Sequence, residues 1–223
     1  PAAMTFTDDF VVSAWVKLNA YNSGANQTIA SRFNGTSGWQ VYVDSSGRVV
    51  CTAFNAGAGN YSTVYTHQAV PLNKWVHVTT QLDMSAFTAT TTTSYVMIDG
   101  VDVPCSVARA GTNPTALVQA GNLEIGTGNA TNFFNGKIAQ VAVFNAKVTQ
   151  ATMRGYISQG LSGTETSLIS AYSFNNAITD LSANANNLTA NGSAVATNAD
   201  SPFGLQASGL ISATLDHGIV QSV

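Results

Sequence analysis

Charge is the scarcest property of this sequence. Asp, Glu, Lys and Arg make up only 9% of its 223 residues, against about 25% in ordinary soluble domains. Eight Lys and Arg face eleven Asp and Glu, a formal net charge of −3. Such a chain offers no basic track to nucleic acid or to an anionic membrane surface. Cysteine is as sparse. Cys51 and Cys105 are the only two, which excludes a disulfide framework and leaves at most one bridge; buried free thiols are the commoner role for such residues. No apolar run approaches the roughly 20 residues that cross a bilayer. Pro1-Ala2-Ala3-Met4 lacks a charged region followed by an apolar core, so the sequence reads as a mature domain or an excised fragment.

Chemistry-bearing clusters are missing too. Paired-acid hydrolysis needs two carboxyl groups about 5 to 9.5 Å apart. The chain has only Glu124 and Glu165 as glutamates, and Asp8, Asp9, Asp99 and Asp102 fall at strand ends or turns. His67, His77 and His217 show no metal-ligand spacing, and His77 shares a strand face with Trp75, which favours packing. No Gly-x-Ser-x-Gly elbow and no glycine-rich phosphate loop before a helix occurs. The reading is that the chain is not an enzyme, with a glycoside hydrolase or lyase as a distant alternative.

What is present is alternation. Phe10, Val12, Ala14, Val16 and Leu18 share one face of an extended segment, and Trp39, Val41 and Val43 share another. Val76, Val78 and Leu82 form a third such set, and Gln27 to Phe33, Arg48 to Phe54, Tyr61 to Thr66 and Leu123 to Gly126 are further strand candidates. Asp99-Gly100 joins Ser94 to Ile98 with Val101 to Val107 in the strongest hairpin signal, because a type I′ turn needs positive φ at both positions. Thr88 to Thr93 reads as a loop or strand end. Asn135-Gly136 is expected to turn into a strand in which Ala139, Val141 and Val143 face one way and Ile138, Ala142 and Phe144 the other, covered on both sides. Thr149 then caps one short helix near 149–159, ended by Gly160. Leu168 to Phe174 returns to strand, Asp180 to Asn187 is a polar loop, and Ile211, Ala213 and Leu215 mark a final strand. Many short strands with one helix predict an all-β, two-sheet antiparallel jelly-roll sandwich. No linker divides it.

Taken in order, several stretches resemble the laminin-G-like, or concanavalin A-like, lectin and glucanase jelly-roll domains. They are Phe10 to Lys17, Ile29 to Arg32, Gly38 to Val43, Asn73 to Val78, Tyr95 to Gly100, Leu123 to Gly126, and Phe134 to Ile138 with the helix beyond. The succession is specific, although each piece alone is weak. The Glu-x-Asp-x-x-Glu strand of the family's glucanases is absent. One order differs: the segment like Leu168 to Phe174 with Asp180 to Asn184 precedes the Phe10 segment in many members and here comes late. A strand closing the sheet from the C-terminal side explains this better than a truncated repeat, since an unpaired apolar strand is a sticky edge. The expected division is a jelly-roll domain over 1–204 and a tail over 205–223, an extra strand or an oligomer contact through Leu210, Ile211, Ala213 and Leu215. Threonine, alanine and asparagine richness also resembles the distal parts of bacteriophage tail fibres.

The resemblance implies a noncatalytic carbohydrate-binding module on a phage fibre or a bacterial extracellular protein, with a glycan as partner. The alternative is an architectural module of a virion or surface assembly that forms homo-oligomers and binds no glycan. Sugar recognition needs aromatic faces and planar amides or guanidinium groups in a shallow groove. The candidates are Tyr61 and Tyr65 with Asn55 and Asn60 of the glycine-rich loop, and Arg32 with Asn34 and Tyr42. Trp15, Trp39 and Trp75 read as core. The family also implies calcium near Asp180, Ser182 and Asn184, a set that could equally form an Asx-type turn.

Overall fold

The computed structural model describes residues 6, 9–55, 59–85, 87, 93–111, 117, 121–192, 194–197, 200 and 202, with the backbone of 214–216 and 219–222. Chain order runs β1 (Phe10–Leu18), β2 (Gln27–Phe33), β3 (Gly38–Val43), β4 (Arg48–Phe54), β5 (Tyr61–Ala69), β6 (Trp75–Leu82), β7 (Tyr95–Ile98), β8 (Val101–Asp102), β9 (Cys105–Ala110), β10 (Glu124–Ile125) and β11 (Gly136–Phe144). Helix α1 (Gln150–Gln159) follows, then β12 (Leu168–Tyr172), β13 (Leu188–Asn191), β14 (Val195–Thr197), β15 (Thr214–Asp216) and β16 (Ile219–Ser222). Two antiparallel sheets result. Sheet I has the order β14-β15-β11-β1-β6-β7-β8, with β12 beside β15 on the same edge of β11; sheet II has the order β13-β16-β10-β2-β3-β4-β5-β9.

The alternating faces meet between the sheets as expected. Phe10, Val12, Ala14, Val16 and Leu18 from sheet I pack with Ile29, Trp39, Val41, Val43, Val49, Cys51 and Val64 from sheet II. Phe6, Phe10 and Trp39 form an aromatic stack, with ring centroids 5.1 Å apart for the two phenylalanines and 5.5 Å for Phe10 with Trp39. Both cysteines are free thiols, Cys51 buried and Cys105 half-buried. Burial pushes the Cys51 thiol up to about 12, an inert core group.

A second, smaller cluster lies outside sheet I. Val11, Met97, Ala142, Phe144, Leu168 and Ala171 of the sheet pack against Val148 and Met153, and Tyr156 stacks on Phe144 at 5.9 Å. So β11 is covered on both sides, by sheet II within and by α1 without. The Thr149 side chain accepts from the Thr152 N–H, and Gly160 at φ 81 ends the helix. Asp99 and Gly100 have φ of 51 and 75, the left-handed pair their hairpin requires.

Three expectations need correction. Gly136 supplies no left-handed turn; it is the first residue of β11, paired with Leu18, and a Cβ there would lie 2.1 Å from the Lys17 carbonyl oxygen. Close backbone approach explains this glycine. Next, Ala139 does not share the face of Val141 and Val143. Between the pairs Ser13–Ala142 and Trp15–Ala139, two residues of β11, Val141 and Gln140, oppose the single Ala14 of β1, and Gln140 has φ 45. This bulge shifts the alternation by one, so Ile138 joins Val141 and Val143 inside while Ala139 pairs with Trp15. Finally, Val101 to Val107 is two strands: β8 pairs with β7 in sheet I, and β9 pairs with β5 in sheet II. The change of sheet falls at Val103-Pro104, where proline removes a ladder donor.

The strand Leu168–Tyr172 pairs antiparallel with β11, as closure from the C-terminal side requires. Leu215 belongs to β15, which pairs with β11 and β14. Leu210, Ile211, Ala213, His217 and residues 88–92 lie outside the described residues.

Candidate functional site

The outer face of sheet II is set by what the core takes. With Trp39, Val41 and Val43 inside on β3, Tyr42 points out; with Val49, Cys51 and Ala53 inside on β4, Arg48, Val50, Thr52 and Phe54 point out. On β5, Val64 is inside and Tyr61, Thr63 and Tyr65 lie outside. Register aligns them: Val50 lies between Tyr42 and Tyr65, Thr52 opposite Thr63, and Phe54 opposite Tyr61. Together with Asp44 these residues line a shallow cavity of about 290 Å³.

Its floor is polar and satisfied. The Thr52 and Thr63 hydroxyls are 2.6 Å apart, and Thr63 Oγ1 donates to the Cys51 carbonyl. Burial pushes the Tyr42 phenol up, partly offset by the Thr52 hydroxyl beside it. At one end Arg48 Nε and Nη2 each lie 2.7 Å from Asp44 Oδ2. The guanidinium carbon sits 4.9 Å from the centre of the Tyr65 ring. Asp44 Oδ1 accepts the Ser46 and Arg48 N–H groups, a turn completed by Gly47 at φ 81. The hydrogen bond to Asp44 raises the Arg48 pKa further, so this cation is permanent.

Of the seven sequence candidates for ligand contact, Tyr42, Tyr61 and Tyr65 come together in this groove. Asn55 and Asn60 close the β4–β5 hairpin beyond it, the Asn55 N–H donating to the Asn60 carbonyl at 3.1 Å. Arg32 pairs with the inward-facing Trp39 and so points away from the groove; its Nε donates to the Gly121 carbonyl at 2.8 Å, and burial lowers its pKa. Asn34 accepts the Thr36 and Ser37 N–H groups in the β2–β3 turn. Sequence reasoning missed Arg48, Asp44, Phe54 and the two threonines. Their signal was the parity of β4: Val49, Cys51 and Ala53 inside put Arg48, Thr52 and Phe54 outside.

The remaining cations are elsewhere. Lys17 and Lys137 hold Asp200, Lys147 holds Asp83, Arg109 and Arg154 donate to the Gly111 and Gly100 carbonyls, and Lys74 lies in the exposed turn before β6. The glutamates serve locally. Glu165 accepts from Ser162 and Gly163, and Glu124 from the Ala130 N–H. His77 is buried edge-on against Trp15 at 5.3 Å, the packing role its position implied. Trp39 is core, Trp15 is half-buried, and Trp75 is half-buried on the outer face of sheet I, donating to the Asp200 carbonyl at 3.1 Å.

Asp180, Ser182 and Asn184 adjoin one another, with their polar atoms turned to the backbone. Asp180 Oδ1 accepts the Ala171 and Ser182 N–H groups, and Oδ2 accepts the Ser182 hydroxyl and the Asn186 N–H. Asn184 Nδ2 donates to the Ile169 carbonyl at 2.9 Å. A carboxylate whose oxygens already accept four hydrogen bonds fits a tied turn and does not fit a calcium cage, which needs about 6 to 8 open oxygen ligands. Among the described residues no three His, Cys, Asp or Glu side chains gather as a metal site.

Two antiparallel sheets packed face to face as a jelly roll define the class of fold, and sequence comparison agrees with it. The chain belongs to the concanavalin A-like lectin/glucanases superfamily, matched over residues 1–154. No curated protein matches it. Among solved structures it is similar to a Bacteroides ovatus protein named as a candidate carbohydrate binding protein, at TM-score 0.57 and 15% identity. That alignment covers 100% of this chain and 56% of the other. It is also similar to the CBM40 of a Ruminococcus gnavus IT-sialidase, bound to α2,3 sialyllactose, at TM-score 0.53 and 15% identity over 68% of this chain and 84% of that one. At these identities the likeness is one of fold.

Proposed function

We propose that this chain is a noncatalytic carbohydrate-binding module whose glycan lies in the groove of β3, β4 and β5. The observation that carries the reading is the convergence of Tyr42, Tyr61 and Tyr65, from two strands flanking β4, on one cavity of about 290 Å³ beside a partly exposed guanidinium. Aromatic rings meet the C–H faces of a sugar, and hydroxyl and N–H groups meet its oxygens. Recognition is an equilibrium on a preformed sheet. Among the described residues its lining includes a single carboxylate, Asp44, already spent on Arg48. Acid–base hydrolysis of a glycosidic bond takes two such groups. The similarity to a module solved with sialyllactose and to a candidate carbohydrate binding protein supports the class of ligand. An exterior setting, on a secreted protein or a virion fibre, suits a face solubilised by hydroxyls and amides.

A glycan array read with the wild-type chain and with Tyr65→Ala tests this. Binding of a glycan set that falls about five- to tenfold in the variant is expected, since loss of one stacking face costs about 1 to 1.5 kcal/mol. Retained binding in both Tyr65→Ala and Tyr42→Ala would place the ligand elsewhere.

A further inference from the structure

The groove holds one permanent cation and one anion, and they cancel. Among the described residues Arg48 is the only Lys or Arg lining it, and Asp44 the only carboxylate. Both oxygens of Asp44 are filled, Oδ1 by two backbone N–H groups and Oδ2 by Arg48 Nε and Nη2 at 2.7 Å. We infer that the groove selects uncharged glycans over acidic ones, with the Asp44–Arg48 pair as the specificity determinant. This rests on the groove being the glycan site.

The physical reason is the position of the anion. Of the five guanidinium N–H donors, two go to Asp44, leaving three for a ligand. A hydroxyl or ring oxygen accepts them at little cost. A sugar carboxylate docked on the same N–H groups would stand beside the Asp44 carboxylate, so attraction and repulsion largely offset while its hydration is still lost. The Tyr65 ring lies over one face of the guanidinium, at 4.9 Å, and leaves its in-plane N–H groups as the contacts for a ligand. The stacking rings themselves are indifferent to charge.

The test is titration calorimetry on the full chain, using neutral oligosaccharides that the array selects and the sialylated or uronic acid counterpart of each, at about 50 and about 500 mM salt. The wild type is expected to bind the neutral glycan with less than about a twofold change between the two salts, and the acidic counterpart at least about fivefold more weakly. Asp44→Asn keeps an acceptor for the turn and frees the cation; it should gain at least about fivefold for acidic glycans at low salt and lose that gain at high salt. Arg48→Gln leaves Asp44 alone and should weaken acidic glycans further. An acidic counterpart bound as tightly as the neutral one, with Tyr65→Ala abolishing both, overturns the selectivity and leaves the glycan site standing. Binding of no glycan, or binding indifferent to Tyr65→Ala, overturns both.

Discussion

His77 shows what a single buried ring imposes on the protein. It lies 4% exposed on β6 against the edge of Trp15, and burial pushes its pKa down to about 3. In the unfolded chain a histidine titrates near 6.5. Between those values the unfolded state binds the extra proton, so native stability falls as the pH drops below about 6.5 and stops falling on this account near 3. At pH 4.5 the loss is about 3 kcal/mol relative to pH 7.5. His77→Gln, neutral throughout, should remove that part of the slope in urea unfolding at the two pH values. Equal slopes in both proteins would show that the ring is not the cause. Lys17 and Lys137 pose the opposite problem, because like charges directly opposite on β1 and β11 repel. Asp200 Oδ2, 2.9 Å from one and 3.2 Å from the other, resolves it.

Among the strands, β11 carries the most information per residue. The bulge at Gln140 lets Ile138 and Val141 both reach the core, which strict alternation forbids. Deleting Gln140 removes the extra residue and puts Ile138, Val141 and Val143 at every second position, so the variant should keep all three inside and retain a cooperative transition in circular dichroism. Loss of that transition would show that the fold needs the bend of the bulge and not only its shift of alternation. Most strands were legible in the sequence, because inward and outward positions differ in hydropathy along β1, β3, β4 and β6. The bulge was not, since Gln140 fits an outward strand position and its positive φ leaves no mark in residue type. Nor was the role of Gly136, as a turn and a close backbone approach ask for the same residue. The groove was half legible. Its tyrosines were visible, but nothing in the sequence marks Asp44 or Arg48, the first residue of a strand candidate, as a ligand contact until the fold sets them beside Tyr65.

For the protein as a unit, the last strands matter more than a tail should. β15 lies between β14 and β11, and β16 between β13 and β10. Neither is at an edge among the described residues. Removing 205–223 would strand β13 and β14 and bare the ladders of β10 and β11, which invites pairing between molecules. A chain ending at 204 should melt at lower temperature and run larger than a monomer by light scattering. A monomer with unchanged melting would make those residues dispensable to both sheets.

Helix α1 has a consequence for how the protein is mounted. It occupies the back of sheet I beside β12, while the Asp200 segment lies over Trp75, Lys17 and Lys137 on that same side. The back is thus spoken for, and the three tyrosines look the other way. A partner or neighbouring domain seated on that back would leave the three tyrosines uncovered.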